Sequence, residues 1–240
     1  MTRRVSSLAA ALADPAGVTH VSDRRSSWPV LPAEIGTLRD LQHLTLNECG
    51  IAALPDALWS LTGLRSLNLF DNAIGELPAG IGRLAKLEKL VLGTNDLRAL
   101  PSHLGELPRL KELNLANNPR MEWKQAFPII WRIESLERLS IYQNAVGELP
   151  EEIGQLGRLR VFRAFACQLG SVPDSIGELE ELRELDLRAN AIGRFDVAVE
   201  RWEHLERLDL SFNRLPPDAC ERIRIAVPAG SYTVMEPQTV

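Results

Sequence analysis

The sequence predicts an α/β solenoid: a horseshoe with a parallel β-sheet along its concave side and short helical or 3-10 turns along its convex side. Three observations carry that prediction. First, an apolar pattern restarts at Val18, Leu41, Leu64, Leu87, Leu110, Leu136, Leu159, Leu182 and Leu205, each step 23 residues except the 26-residue unit from Leu110. Second, each unit contains a short LxxLxLxx segment in which apolar and other residues alternate, which is strand periodicity. Third, one such face cannot be buried by one unit alone, so the units must stack and share a continuous core.

Taken in chain order, "RRVSSLAAALADPAG" (Arg3 to Gly17) reads as a short amphipathic helix stopped by Pro15 and Gly17, in an N-terminal cap over residues 1–17. Nine repeats fill 18–215, the first and last degenerate. The first has Asp23 at an inward position and Trp28 in place of an aliphatic. Numbered from the start of each unit, positions 4 and 6 point inward, as in Leu44 and Leu46 or Leu185 and Leu187. In the unit from Leu159 these become Phe162 and Ala164, one large and one small residue of similar summed volume. Position 9 is mainly asparagine (Asn72, Asn95, Asn118, Asn144, Asn190, Asn213), whose amide can donate and accept where the chain leaves the strand. Cys49 and Cys167 occupy the same slot and read as structural.

Position 15 is proline at Pro32, Pro55, Pro78, Pro101, Pro150 and Pro173, suited to opening a short helical turn. Position 19 is glycine at Gly36, Gly82, Gly105, Gly154 and Gly177, expected to permit a tight outer bend. The 26-residue repeat at 110–135 lacks this spelling. Its extra residues should enlarge the outer turn near Met121 to Phe127, with Trp123 and Trp131 packed over it; the alternative is a protruding contact site. After Asn213, "PPDACERIRIAV" (Pro216 to Val227) reads as a helix and "SYTVM" (Ser231 to Met235) as a final strand, in a C-terminal cap over 216–240.

The recurring LxxLxLxxN and LPxxIGxL spellings resemble the leucine-rich-repeat family, specifically its intracellular LPxxIGxL type, over residues 18–216. The resemblance implies an interaction module. Proteins of this type are similar to regulators of small GTPases, parts of signalling proteins, or recognition arms of bacterial effectors. The effector version needs a catalytic domain beside the repeats, for which these 240 residues leave no room. Richness in alanine, arginine and glycine points to a bacterial source.

Composition narrows the function class. A net charge of −5 argues against non-specific nucleic-acid binding and against an anionic-membrane anchor. The three scattered cysteines form no CxxC pair, so neither a disulfide framework nor a zinc knuckle is indicated. "LAAALA" (Leu8 to Ala13) is too short for a signal peptide or a span. A cytoplasmic monomer is expected; an effector secreted without a cleaved signal would read the same. No glycine loop for phosphate is present, and His20, His43, His103 and His204 bear no fixed relation to a serine or cysteine. No catalysis and no cofactor are therefore expected. One alternative is a metal-dependent enzyme through His20 and His43, which share position 3 in adjacent units, with Glu48 the nearest third ligand. A chance surface pair is the favoured reading.

Positions 3, 5, 7 and 8 are free of the core, so function should be written on the concave face. Phe70, Tyr142 and Phe165 share position 7, with Gly93 and Ala116 between them, which suggests a shallow hollow flanked by rings. Arg163 and Arg188 lie beside Phe165, Asp186 and Asp209 are close, and Phe212 sits at position 8. Aromatic anchors beside arginine are the stuff of protein–protein hot spots. The competing explanation is cross-strand packing that stiffens the sheet. The expectation is a non-catalytic scaffold that holds a protein or peptide partner through Phe70, Tyr142, Phe165, Arg163, Arg188, Asp186 and Phe212.

Overall fold

A computed structural model describes residues 3–238; the four terminal residues of the expected caps lie outside the described residues. The chain divides into two compact units, one up to Ser135 and one from Leu136. The division falls directly after the 26-residue repeat. The first unit holds β1 (Arg3–Val5), α1 (Leu8–Ala13), β2 (Val18–Arg24), β3 (His43–Asn47), β4 (Ser66–Asn68), β5 (Lys89–Val91), β6 (Glu112–Asn114) and α2 (Trp123–Ile130). The second holds β7 (Arg138–Ser140), β8 (Val161–Arg163), β9 (Glu184–Asp186), β10 (Arg207–Asp209), α3 (Pro217–Ala226) and β11 (Tyr232–Val234).

Within each unit the strands pair in parallel and in chain order. Equivalent repeat positions face one another, as in Leu44↔Leu67 and Phe162↔Leu185. Period-two alternation then delivers a continuous apolar column beneath the sheet. Leu44, Leu67, Leu90 and Leu113 in one unit, and Leu139, Phe162, Leu185 and Leu208 in the other, are all fully buried. Ala164 is fully buried beside Phe162, so the large–small exchange is accommodated inside the core.

The turn that follows each strand is built the same way nine times. Position 8 adopts a left-handed backbone at Arg25, Glu48, Asp71, Thr94, Asn117, Gln143, Ala166, Ala189 and Phe212, with φ between 49° and 59°. None of these is glycine, and each bears the steric strain of an L residue in that region. The reversal aims position 9 inward, where the asparagine closes the turn. Asn72 donates through Nδ2 to the carbonyls of Leu46, Leu69 and Phe70, and its Oδ1 accepts from the amides of Cys49 and Ile51. Asn190 repeats the pattern on Ala164, Leu187, Arg188, Cys167 and Leu169. These two asparagines thus satisfy backbone groups both in their own repeat and in the one before.

Cysteine performs half of this. The Cys167 thiol donates to the carbonyl of Ile141 at 3.1 Å, as an asparagine Nδ2 would. It offers no oxygen to the previous repeat. Val146 N–H and Trp28 N–H, which an asparagine Oδ1 would have met, bond instead to the backbone carbonyls of Cys167 and Cys49. These two repeats are also the ones whose position 10 is left-handed, at Gly50 (φ 67°) and Gln168 (φ 60°). A second left-handed residue presents the cysteine carbonyl to the preceding repeat.

On the side away from the sheet, each position-15 proline precedes a 3-10 turn and supplies its first acceptor, as Ile35 N–H to Pro32 O at 3.1 Å. The position-19 glycines differ from expectation. None has a positive φ; they are small because the next turn lies against them. A Cβ on Gly82 would lie 2.8 Å from His103 Cβ, and one on Gly105 would lie 2.7 Å from the Ile129 carbonyl oxygen. Trp59 breaks the glycine series at this position and is 1% exposed; Gly80 on the next turn makes room for its indole. In the 26-residue repeat the 3-10 turn becomes α2. Trp123, Phe127 and Trp131 line up along it, with Phe127 and Trp131 stacked at 5.0 Å. All three are 4–6% exposed, so the cluster is core and not a protruding contact.

The N-terminal cap also differs from a plain helix. Arg3–Val5 pairs with β2, and the helix starts only at Leu8, after Ser7 caps it by accepting from Ala10 N–H. The inward Asp23 is explained here: its carboxylate accepts from the Leu8 amide at 2.8 Å, from the Ser26 hydroxyl and from the Trp28 indole. At the other end α3 follows Pro216, and β11 pairs with β10. Among the described residues no helix is long and apolar enough to cross a membrane.

Three substitutions check these accounts. Gly80→Ala drives a methyl into the Trp59 indole and should cost about 1–3 kcal/mol in a denaturant titration, with a smaller cost in a Trp59→Leu background. Gln168→Gly relieves a left-handed side chain and should stabilise by about 0.5–1 kcal/mol, whereas Gly50→Ala at the equivalent position should destabilise by a similar amount. Equal melting temperatures for all three variants and wild type would contradict both accounts.

Candidate functional site

The position-7 row divides between the units. In the first, Phe70 is half-buried and its ring lies over Gly93, 3.3 Å from where a Cβ would stand. Ala116 beyond it is 1% exposed. The ring fills the space above Gly93, so this end of the row is not the open hollow that the sequence suggested.

In the second unit the row becomes a stack. Tyr142 and Phe165 follow adjacent strands, β7 and β8, and their rings lie 4.3 Å apart at 8°. Arg188 follows β9 and places its guanidinium 4.4 Å from the centre of the Phe165 ring. In-register parallel strands stand about 4.8 Å apart, so two rings at one repeat position stack without adjustment and a guanidinium at the same position of the next strand comes to lie over the second ring. Ring stacking contributes about 0.5–1.5 kcal/mol and an exposed cation–π contact about 0.5–1 kcal/mol. Phe165 is the middle layer, touched on both faces.

The charges around the stack are ordered. Arg163 on β8 grips Glu184 on β9 with two bonds, 2.8 Å from Nε and 3.0 Å from Nη2. That bidentate pair raises the Arg163 pKa and holds the Glu184 carboxyl below its usual range. Asp186 and Asp209 sit at position 5, where an Asx side chain accepts the amide two residues on, from Arg188 at 3.3 Å and Ser211 at 3.2 Å. Asn68 and Asn114 do the same for Phe70 and Ala116. This bond ends the strand and pulls the carboxylates down. Burial pushes the Asp186 pKa up, and the Arg188 amide and guanidinium oppose the shift. Arg188 Nη1 stands 3.6 Å from Asp186 and 4.0 Å from Asp209, while Arg207 Nη2 reaches Asp209 at 3.1 Å. Arg207 also lies 5.3 Å from the centre of the Tyr232 ring.

The structure therefore brings Tyr142, Phe165, Arg163, Arg188 and Asp186 together in one unit and leaves Phe70 in the other. Asp186, expected at an accessible rim, is 5% exposed and faces Arg188. Phe212 is 47% exposed at a left-handed position beyond β10. Sequence reasoning missed Glu184, Arg207 and Tyr232. Setting "SYTVM" in register under "LERLDL" would have placed Tyr232 beside Arg207, as the strands do.

The histidine pair forms no converging set of ligands. His20 and His43 face each other across β2 and β3 with rings stacked at 4.3 Å and 16°. The His20 Nδ1 is 2.9 Å from Thr19 Oγ1, and Glu48 is bound to Arg25 at 2.8 Å. The three thiols are buried, and burial raises each pKa, that of Cys167 to about 12. They remain protonated at neutral pH and are poor nucleophiles.

A family model described as "leucine-rich repeat region" matches residues 23–125 and 56–169, and one described as "leucine rich repeat" matches 203–221. No curated protein matches significantly. Among solved structures, a leucine-rich-repeat protein of Leptospira interrogans is 25% identical, with a TM-score of 0.78, covering 100% of this chain and 72% of that one. The plant peptide hormone receptor RGFR1 in complex with RGF2 is 26% identical, with a TM-score of 0.68, covering 90% of this chain and 36% of that one. The Arabidopsis receptor kinase HAESA in complex with the peptide hormone IDA and the co-receptor SERK1 is 25% identical, with a TM-score of 0.69, covering 89% and 37%. This chain thus spans about a third of each receptor chain.

The stacked histidines make a pH prediction. Burial first, then His43 and Arg4, lower the His20 pKa below its usual 6.5. As pH falls through that value the unfolded chain takes up a proton that the folded chain resists, so stability falls. The melting temperature should drop between about pH 7 and about pH 5, and drop less in His20→Gln. The same acid sensitivity in that variant would rule out the pair as its source.

Proposed function

The chain belongs to the leucine-rich-repeat proteins, and from that premise we propose that it is a non-catalytic interaction module whose second unit binds a protein or peptide partner on the open face of its sheet. One observation carries the reading: the Tyr142–Phe165–Arg188 stack stands on that face, half-buried, backed by a rigid parallel sheet. Aromatic and arginine side chains held in place lose little freedom on binding. Arg163 on β8 adds its charge beside the stack, Asp186 acts through Arg188, and Phe212, exposed beyond β10, offers a further aromatic contact in the same unit. Phe70 offers a separate aromatic contact in the first unit. The plant receptors similar to this chain are found with peptide hormones, which favours a peptide or protein ligand here. Buried, protonated thiols speak against a cysteine nucleophile. Cross-strand stiffening and binding are compatible, because the stack uses the ring faces and leaves all three side chains half-exposed.

Affinity capture from native lysate tests this. Phe165→Asp should lose partners that wild type retains, while Ser60→Ala on the side away from the sheet should lose none. Circular dichroism melts must show both variants folded. Identical capture by a folded Phe165→Asp protein would remove the open face from the reading.

A further inference from the structure

The charges on the second unit's open face are layered by sign. Two carboxylates lie beneath: the side chains of Asp186 and Asp209 are 6% and 4% exposed, while Glu184, 23% exposed, is neutralised by Arg163. The guanidinium groups lie above: those of Arg163, Arg188 and Arg207 belong to side chains 40–43% exposed. Arg138 is exposed and has no carboxylate within 4 Å among the described residues, although its charge reaches Glu184. A chain of net charge −5 therefore shows solvent, at this place, a surface of arginine and aromatic groups. The negative charges below are sequestered and offset, so they do not call for a basic ligand.

The arginines are not equivalent. Arg163 commits two donors to Glu184, and Arg207 commits one to Asp209. Arg188 is held by Phe165 on one face and by attraction from two carboxylates at 3.6 and 4.0 Å, beyond hydrogen-bonding distance. Its position over the ring is held by these contacts, and its side-chain N–H groups have no acceptor within hydrogen-bonding distance among the described residues. A guanidinium oriented in advance with its donor fork open is suited to a carboxylate.

We infer that the occupant of this face is an acidic peptide segment. A side-chain carboxylate of the partner accepts from Arg188, a neighbouring acidic residue lies towards Arg138, and apolar or aromatic side chains between them meet the edges of Tyr142 and Phe165. This rests on the reading that the face binds a partner and adds the chemistry of that partner. A basic segment would meet like charge at Arg138 and Arg188, and a neutral one would leave the Arg188 fork to water.

The test measures fluorescence anisotropy of the full chain with a short end-capped peptide of alternating glutamate and tyrosine, against its glutamine–tyrosine counterpart. The glutamate peptide should bind about tenfold tighter at low salt. The preference should shrink as salt rises, which an apolar contact would not do. Arg188→Lys keeps a positive charge above Asp186 and Asp209 but removes the planar fork, and should lose most of the preference while melting near wild type. Equal affinities at low salt, or an undiminished preference in Arg188→Lys, overturn the acidic occupant. If the two peptides bind equally and Phe165→Ser abolishes both, the face survives as a binding surface and only its acidic character falls. If neither peptide binds, the acidic occupant is rejected; the face is rejected with it only where Phe165→Asp also captures the same lysate proteins as wild type.

Discussion

Everything in this chain hangs on the satisfaction of backbone groups where each strand turns outward. A residue at position 8 takes a left-handed conformation in all nine repeats, and the next side chain enters the core to close the turn. Nine strained residues would be a heavy cost unless each returned several bonds. Asparagine supplies them, because one amide can serve three carbonyls and two N–H groups at once, as Asn72 and Asn190 do. These bonds run between repeats as well as within them, so the same device that ends a strand also fastens it to its neighbour. Cys49 and Cys167 show what the device requires. A thiol can donate but leaves the preceding repeat short of an acceptor, and a second left-handed residue, Gly50 or Gln168, turns the backbone carbonyl to fill the gap.

Opposite the sheet the constraint is steric. Successive outer turns approach closely enough that position 19 has no room for a side chain at Gly82, Gly105 or Gly154. Trp59 is admitted only because Gly80 on the next turn recedes. Where the repeat lengthens to form α2, its three aromatic rings go inward over Gly105's side of the core and are buried. Interiors packed at this density feel a single methyl.

The open face follows from the other two. Strands held in register at about 4.8 Å set any planar side chain at position 7 at stacking distance from its neighbour. Tyr142, Phe165 and Arg188 exploit that spacing. Position 5 is pinned by the Asx bond that ends the strand, which draws Asp186 and Asp209 downward and leaves the arginines on top. The separation of charge by depth is therefore a by-product of how the strands terminate.

Sequence alone determined the repeat, its phase, the parallel strands and the inward columns, because each rests on a period that recurs many times and on burial that depends only on parity. Phe162 as core and Phe165 as outward are legible for that reason, and so is the turn-closing role of Asn72 and its equivalents. Three things were decided by tertiary structure. Glycine at position 19 answers a neighbouring turn, which no single repeat contains. Asp186 looks like a surface charge until the turn bond and the Arg188 cover are in place. The partnership of Arg207 with Tyr232 depends on the register of a short final strand that carries no leucine signature. Periodicity fixes which way a side chain points; only the packed neighbours fix whether, having pointed there, it meets water, a ring or an opposite charge.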